Sequence, residues 1–179
     1  MTIISAFDRL VASDDQTLDE LFTSSPPPAF DTLVGFQWRG YNTDPNLRYL
    51  GLKKFIKAFF RAEHGDEGCN VKVFQNALTE PWRPRTRAGK VDAFAFYLVG
   101  PQTARTRLVR NSSALLIDYA ASPRNPVYHV ERTIRDYVVQ PFGDDRDVML
   151  GRAYVGVGSL RMASSFFVIH RDATFSWPV

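Results

Sequence analysis

Two acid–tyrosine pairs, Asp118-Tyr119 and Asp136-Tyr137, each sit inside an apolar run and could carry chemistry. A sheltered carboxylate can act as a general acid or base, and a tyrosine hydroxyl can anchor a ligand or pass a proton. Neighbouring residues on a strand face opposite ways, so neither pair can act as one dyad on one face. Asp118 and Asp136 could still both point into a cavity if their strands are neighbours in a suitable register. The commoner arrangement is a core tyrosine with its hydroxyl satisfied and a strand aspartate that faces solvent or an arginine.

Other reactive groups are sparse. His64, His129 and His170 have no zinc-ligand spacing, so no metal site is expected. Cys69 is the sole cysteine. It can form no intramolecular disulfide, lacks an identifiable base and starts an apolar strand, which reads as an inert core thiol in a reducing compartment. Arg83, Arg85 and Arg87 would project to one side of the extended stretch from Pro81 to Lys90. The prolines and Gly89 make that stretch a loop, where solvated arginines are ordinary, and phosphate binding would also need Arg105, Arg107 and Arg110 to gather there. There is no phosphate-binding loop and no nucleophile elbow, and Gly156-Val157-Gly158 precedes a strand where a dinucleotide fingerprint must open a helix.

These residues need a scaffold, and 179 residues are enough for one domain spanning 1–179. Helices and a proline linker occupy 1–28, and a barrel occupies 32–175. Hydrophobic residues at 45% exclude a disordered chain, and 14 phenylalanines suit a sheet protein with an apolar cavity. A net charge of +3 is too small for a dedicated nucleic-acid binder. The start lacks a basic leader and no apolar run is long enough to span a bilayer, so the expectation is a cytoplasmic chain with no membrane insertion.

Ile3, Ile4, Phe7, Leu10 and Val11 have helical spacing, and Ser13 with Gln16 has capping-box form before Leu18, Leu21 and Phe22. Pro26-Pro27-Pro28 ends this helical region. A strand is predicted from Leu33 to Tyr41. A helix is predicted from Leu47 to Arg61, with Leu52, Phe55, Ile56 and Phe59 on one side and Lys53, Lys54 and Lys57 mostly on the other. Further strands are predicted at 70–76, 92–99, 106–110, 114–120, 133–140, 148–155 and 160–170, with a hairpin turn at Phe142-Gly143-Asp144-Asp145. This meander implies a mainly β fold, an antiparallel up-and-down barrel with N-terminal helices and a helix after the first strand.

The strand carrying Gly35, Trp38 and Gly40 resembles the first-strand signature of the calycin superfamily, the lipocalin-like barrels, although the usual spacing is Gly-x-Trp and here it is Gly35-x-x-Trp38. That resemblance implies a basic side chain from the last strand packed over Trp38, with Arg171 or Arg161 in that place, and a structural role for Gly35, Trp38, Gly40 and Arg171. Residues 32–60 also resemble a bacterial domain family of unknown function named for a Gly-x-Trp-x-x-x-Arg motif, through Leu33-Val34-Gly35, Trp38-Arg39-Gly40, Pro45, Gly51, Lys53, Lys54 and Phe55. Barrels resembling nitrobindin hold haem through one histidine, which implies His170 or His129 as the ligand in a haem-binding alternative. If Arg171 points inward, His170 points outward and cannot reach an interior haem.

The leading expectation is a protein that binds a small hydrophobic molecule, without a cofactor, in a cavity lined by some of Phe94, Phe96, Leu115, Ile117, Tyr119, Tyr137 and Phe167. The lysines of the helix at the mouth would attract a carboxylate headgroup. The alternatives are an enzyme on the same scaffold using Asp118 or Asp136 with a tyrosine, and a filled barrel that recruits a protein partner. The oligomeric state is open.

Overall fold

The computed structural model describes residues 5–49, 51–63, 65–101, 109–157 and 160–176. Ile3, Ile4, Leu50, His64, Arg105 and Arg107 lie outside the described residues, as does most of the strand expected at 106–110; Arg161 is described only in its backbone.

The chain opens with α1 (Ala6–Ala12) and α2 (Asp15–Ser24). Ser5 caps α1 by accepting the Asp8 amide at 3.1 Å. The cap of α2 is Asp14, one residue after the serine suggested by the sequence: its carboxylate accepts the Thr17 amide at 2.8 Å and also complements the positive end of the helix. Burial of Phe7, Leu10, Leu18 and Phe22 seats both helices on the outer face of the barrel, against Val148, Leu150, Phe166 and Val168 among others.

A short helix, α3 (Phe30–Leu33), precedes β1 (Phe36–Asn42). The following strands are β2 (Lys54–Ala62), β3 (Gly65–Lys72), the two-residue ribbon of β4 (Thr86–Arg87) and β5 (Lys90–Val91), and β6 (Ala93–Gly100). Then come β7 (Leu115–Asp118), β8 (Ile134–Val139), β9 (Val148–Val157) and β10 (Leu160–Thr174). Apart from the β4–β5 ribbon, the strands form a closed, eight-stranded antiparallel barrel in which each pairs with the next and β10 returns to β1. Closure leaves no ladder edge to solvent.

The helix expected from Leu47 to Arg61 is not there. A 3₁₀ turn covers Pro45–Arg48, and Lys54–Ala62 is strand β2. The misleading period has a physical origin, because β2 is buried on both faces. Phe55 and Phe59 point into the lumen, while Ile56 and Ala58 pack outside with Cys69, Val71 and Val73, beside Trp82. Two-sided burial erases the alternation of a half-exposed strand and leaves apolar residues at spacings that mimic a helix. Lys54 is held on the outside, where its Nζ donates to Asn76 Oδ1 at 2.5 Å, Glu80 O at 2.9 Å and Ala77 O at 3.0 Å.

One end of the barrel is plugged. Trp38 is fully buried and its indole N–H donates to Leu33 O at 3.1 Å, tying β1 to α3. Arg171, opposite Trp38 in the β1–β10 ladder, places its guanidinium carbon 5.3 Å from the indole centroid and donates to Thr32 O at 3.0 Å. Up-and-down order puts the β1–β2, β3–β6 and β7–β8 connections together at the other end, which is the mouth.

Close packing below the mouth depends on missing side chains. A Cβ on Gly68 would lie 2.1 Å from the Tyr97 ring and 2.4 Å from Ala58 O, and the latter is backbone that cannot swing aside. Gly68→Ala is therefore expected to destabilise the protein by roughly 2 kcal/mol or more, measured as a lower urea midpoint without a change in slope.

Candidate functional site

The mouth opens into a cavity of about 240 Å³. Its walls are mainly apolar: Phe55 comes from β2, Phe94 and Ala95 from β6, Ala153 and Val155 from β9, and Phe167 from β10. Leu47, Leu52, Val130 and Ile134 stand at the mouth, and Leu52 and Val130 are themselves exposed.

Besides Asn42, Glu131, Ser164 and Ser165, the polar side chains of the cavity form a cluster around Lys57, which is 1% exposed. The β2 register that points Phe55 and Phe59 inward carries Lys57 inward with them. Its Nζ donates to Tyr119 OH at 2.6 Å, Asp136 Oδ2 at 2.9 Å and Asn70 Oδ1 at 3.0 Å, which uses all three ammonium hydrogens. Tyr119 in turn donates to Asp136 Oδ2 at 2.7 Å and accepts from Asn70 Nδ2 at 3.2 Å. The rings of Tyr97, Tyr119, Phe167 and Phe55 surround Nζ, with centroids 4.9 to 5.6 Å away. Such faces favour a cation electrostatically.

Burial lowers the Lys57 pKa, and the Asp136 carboxylate opposes that shift. Tyr119 is pushed well above the ordinary phenol value, first by burial and then by the Asp136 charge. The phenol thus keeps its proton and serves as a donor. With a carboxylate, a phenol and an amine in mutual contact, the cluster can position a polar ligand group or relay a proton to one.

Three of the expected lining residues, Phe94, Tyr119 and Phe167, face this cavity. Leu115 and Ile117 point inward but belong to the packed core beneath it. Phe96 and Tyr137 point outward. Phe96 lies under the Arg124 guanidinium at 4.0 Å, and Tyr137 packs edge-on against Tyr154 beneath the N-terminal helices. Asp118 also points outward: Arg135 Nε lies 2.9 Å from its Oδ1, which also accepts from the Ala120 amide. It is no candidate for interior acid/base chemistry. The pairing that does form is Tyr119 with Asp136, between the two acid–tyrosine doublets and not within either.

Lys57 and Asn70 escaped the sequence reading. With 47–61 read as a helix, Lys57 falls among the lysines expected to attract a headgroup at the mouth, and the sign of its inward position is a phenylalanine two residues away on each side. Gly35 turns into β1 with φ of 82°, and Gly40 leaves room for Phe55, whose ring a Cβ there would meet at 2.2 Å.

The described histidines do not line the cavity. His170 points out beneath α1, 5.9 Å between its ring and that of Phe7, and His129 sits 3.6 Å from Glu131. His170 is thereby turned away from the lumen, and His129 is not among the residues lining the cavity. Among the described residues no three His, Cys, Asp or Glu side chains gather as a metal site. Arg83, Arg85 and Arg87 are exposed, while Arg110 pairs with Asp19 of α2, away from them. No described helix is long and apolar enough to cross a membrane.

No protein-family model matches the chain, and no curated protein matches it.

Removing one member of the buried pair should cost more than removing both. Lys57→Met is expected to lose about 3 to 5 kcal/mol by leaving Asp136 uncompensated, and adding Asp136→Leu should recover most of it, as read by denaturant unfolding. A double variant no better than the single one would show that the pair is not energetically coupled.

Burial pushes the Cys69 thiol from 9.0 up to about 12. The unfolded thiol therefore ionises first, so its contribution to stability is whole below pH 9 and is lost as pH rises towards 12. Cys69→Ala should make the fall in Tm over that range shallower, and native Cys69 should resist alkylation by iodoacetamide.

Proposed function

We propose that this protein binds a small, mostly apolar molecule in the barrel cavity, with a polar end of the ligand at the Lys57, Tyr119, Asn70 and Asp136 cluster. The observation that carries the reading is the coexistence, in one barrel open at one end, of an apolar-walled cavity and a buried polar floor. A plugged base, a hollow upper half and Arg171 packed on Trp38 also support a lipocalin-like relationship. Leu47, Leu52, Val130 and Ile134 at the mouth give such a ligand an apolar path beside Glu131.

A second reading, catalysis on a small apolar substrate, is favoured by the 2.7 Å bond from Tyr119 to Asp136, which aligns a proton donor with a carboxylate. Binding is common to both readings and is tested first.

Nile red, a neutral apolar dye, should brighten and shift to shorter wavelength on titration with the purified protein. Ala153 lines the cavity, and Ala153→Phe would place a ring in it. The variant should retain its far-UV circular dichroism and bind the dye about tenfold or more weakly. Equal binding by a folded Ala153→Phe variant would place the dye elsewhere and remove the reading.

A further inference from the structure

We infer that the cavity selects a ligand whose buried end is neutral and both donates and accepts hydrogen bonds, such as a hydroxyl or primary amide, and that it discriminates against carboxylates. This rests on the cavity-binding reading and names the ligand class of that site.

Charge balance carries the argument. Among the described residues three charged side chains line the cavity: Lys57, Asp136 and Glu131. Lys57 and Asp136 are in direct contact and nearly sealed from solvent, with side-chain exposures of 2% and 6%. Whichever of the two holds the proton, the pair has no net charge. Glu131, at the mouth, adds a negative charge. An entering carboxylate would leave water, find no unpaired cation among the described lining residues and pass another acid on the way. Taking an ionised group out of water is unfavourable unless it is paired and hydrogen-bonded.

Hydrogen-bond capacity points the same way. The three Lys57 hydrogens are already used on Tyr119, Asp136 and Asn70, so a ligand carboxylate could reach the ammonium only by displacing one of them. A neutral end meets the capacity that remains. Asp136 spends Oδ2 on both of its bonds, and no described residue donates to Oδ1. Asn70 Nδ2 uses one hydrogen on Tyr119 and has a second to offer. One acceptor and one donor beside the same cavity suit a hydroxyl or an amide. The carboxylate headgroup suggested by the run of lysines in the sequence does not suit this site: Lys54 is sequestered outside the barrel, and Lys57 is already matched by Asp136.

The test is competition against bound Nile red with n-decanol, decanoate and decylamine, which share one tail and differ in charge, at near-neutral pH and fixed ionic strength. The wild-type protein should bind decanol about tenfold or more tightly than either ion. Asp136→Asn leaves Lys57 without its counter-charge and should shift the preference towards decanoate by about tenfold or more. Should that variant fail to fold, Lys57→Gln with Asp136→Asn restores neutrality and should prefer decanol as the wild type does. If decanoate or decylamine matches decanol in the wild type, or if Asp136→Asn folds and shows no gain for decanoate, the inference is overturned while the cavity reading stands. Failure of Nile red to bind would instead remove the cavity reading.

Discussion

An ion pair stretched across the lumen organises this barrel. Lys57 rises from β2 and Asp136 from β8, and in the ring of strands β2 and β8 lie four steps apart in either direction, on opposite walls. Tyr119, just past β7, and Asn70 on β3 complete the bridge. Once desolvated, neither charge is tolerable without the other, so the pair fixes which walls must face each other and at what height. Below it the lumen is packed with Trp38, Phe59, Tyr97 and their neighbours; above it lies the cavity. The pair is thus both the ceiling of the core and the floor of the site.

The barrel wall is covered outside as well as filled inside. The N-terminal helices lie over β8 to β10, and residues 73–82 lie over β2 and β3. That cover explains which parts of the fold were legible in the sequence. The strands β6 to β10 and the two N-terminal helices leave local signals, and the pairing of Trp38 with Arg171 follows what the calycin resemblance implies. Strand β2 does not, because residues distant in sequence bury its outer face and turn Ile56 and Ala58 apolar alongside the lumen-facing phenylalanines. With β2 read as a helix, Lys57 is one of several lysines on a polar face beside the mouth, with nothing to set it apart from Lys53 and Lys54. The Tyr119–Asp136 contact was hidden differently: both residues were visible, but the β7–β8 register, Ile117 opposite Asp136, is a tertiary fact.

A break in strand parity accounts for the misplaced Phe96. Gly68 pairs with Tyr97 and Asn70 with Phe94, so β6 carries one residue more than β3 across this interval. The extra residue is Ala95, held at φ of 48°, a left-handed conformation that costs an alanine about 1 kcal/mol or more. A bulge of this kind lets two consecutive residues share one face, and Phe94 and Ala95 both line the cavity. Beyond it the alternation restarts out of phase, turning Phe96 outward and Tyr97 inward. β10 shows a second irregularity, between Ala163 and Phe166, and there Ser164 and Ser165 both reach the cavity.

These irregularities show how the sequence encodes empty space. Large apolar side chains such as Leu115 and Ile117 fill a barrel as readily as they line it, so they do not by themselves mark a cavity wall. At Ala95, Ala153, Ser164 and Ser165 the wall is built of small residues, and at two of these places the backbone departs from regular pairing to bring them inward. In the plugged half, glycines such as Gly68 are small for the opposite reason, since an aromatic ring occupies the space they release. Small inward residues therefore have two meanings, and what separates them is whether a ring from a neighbouring strand reaches the vacancy. In this barrel rings reach it at Gly40, Gly68 and Gly151, and beside Ala95, Ala153, Ser164 and Ser165 the space remains open.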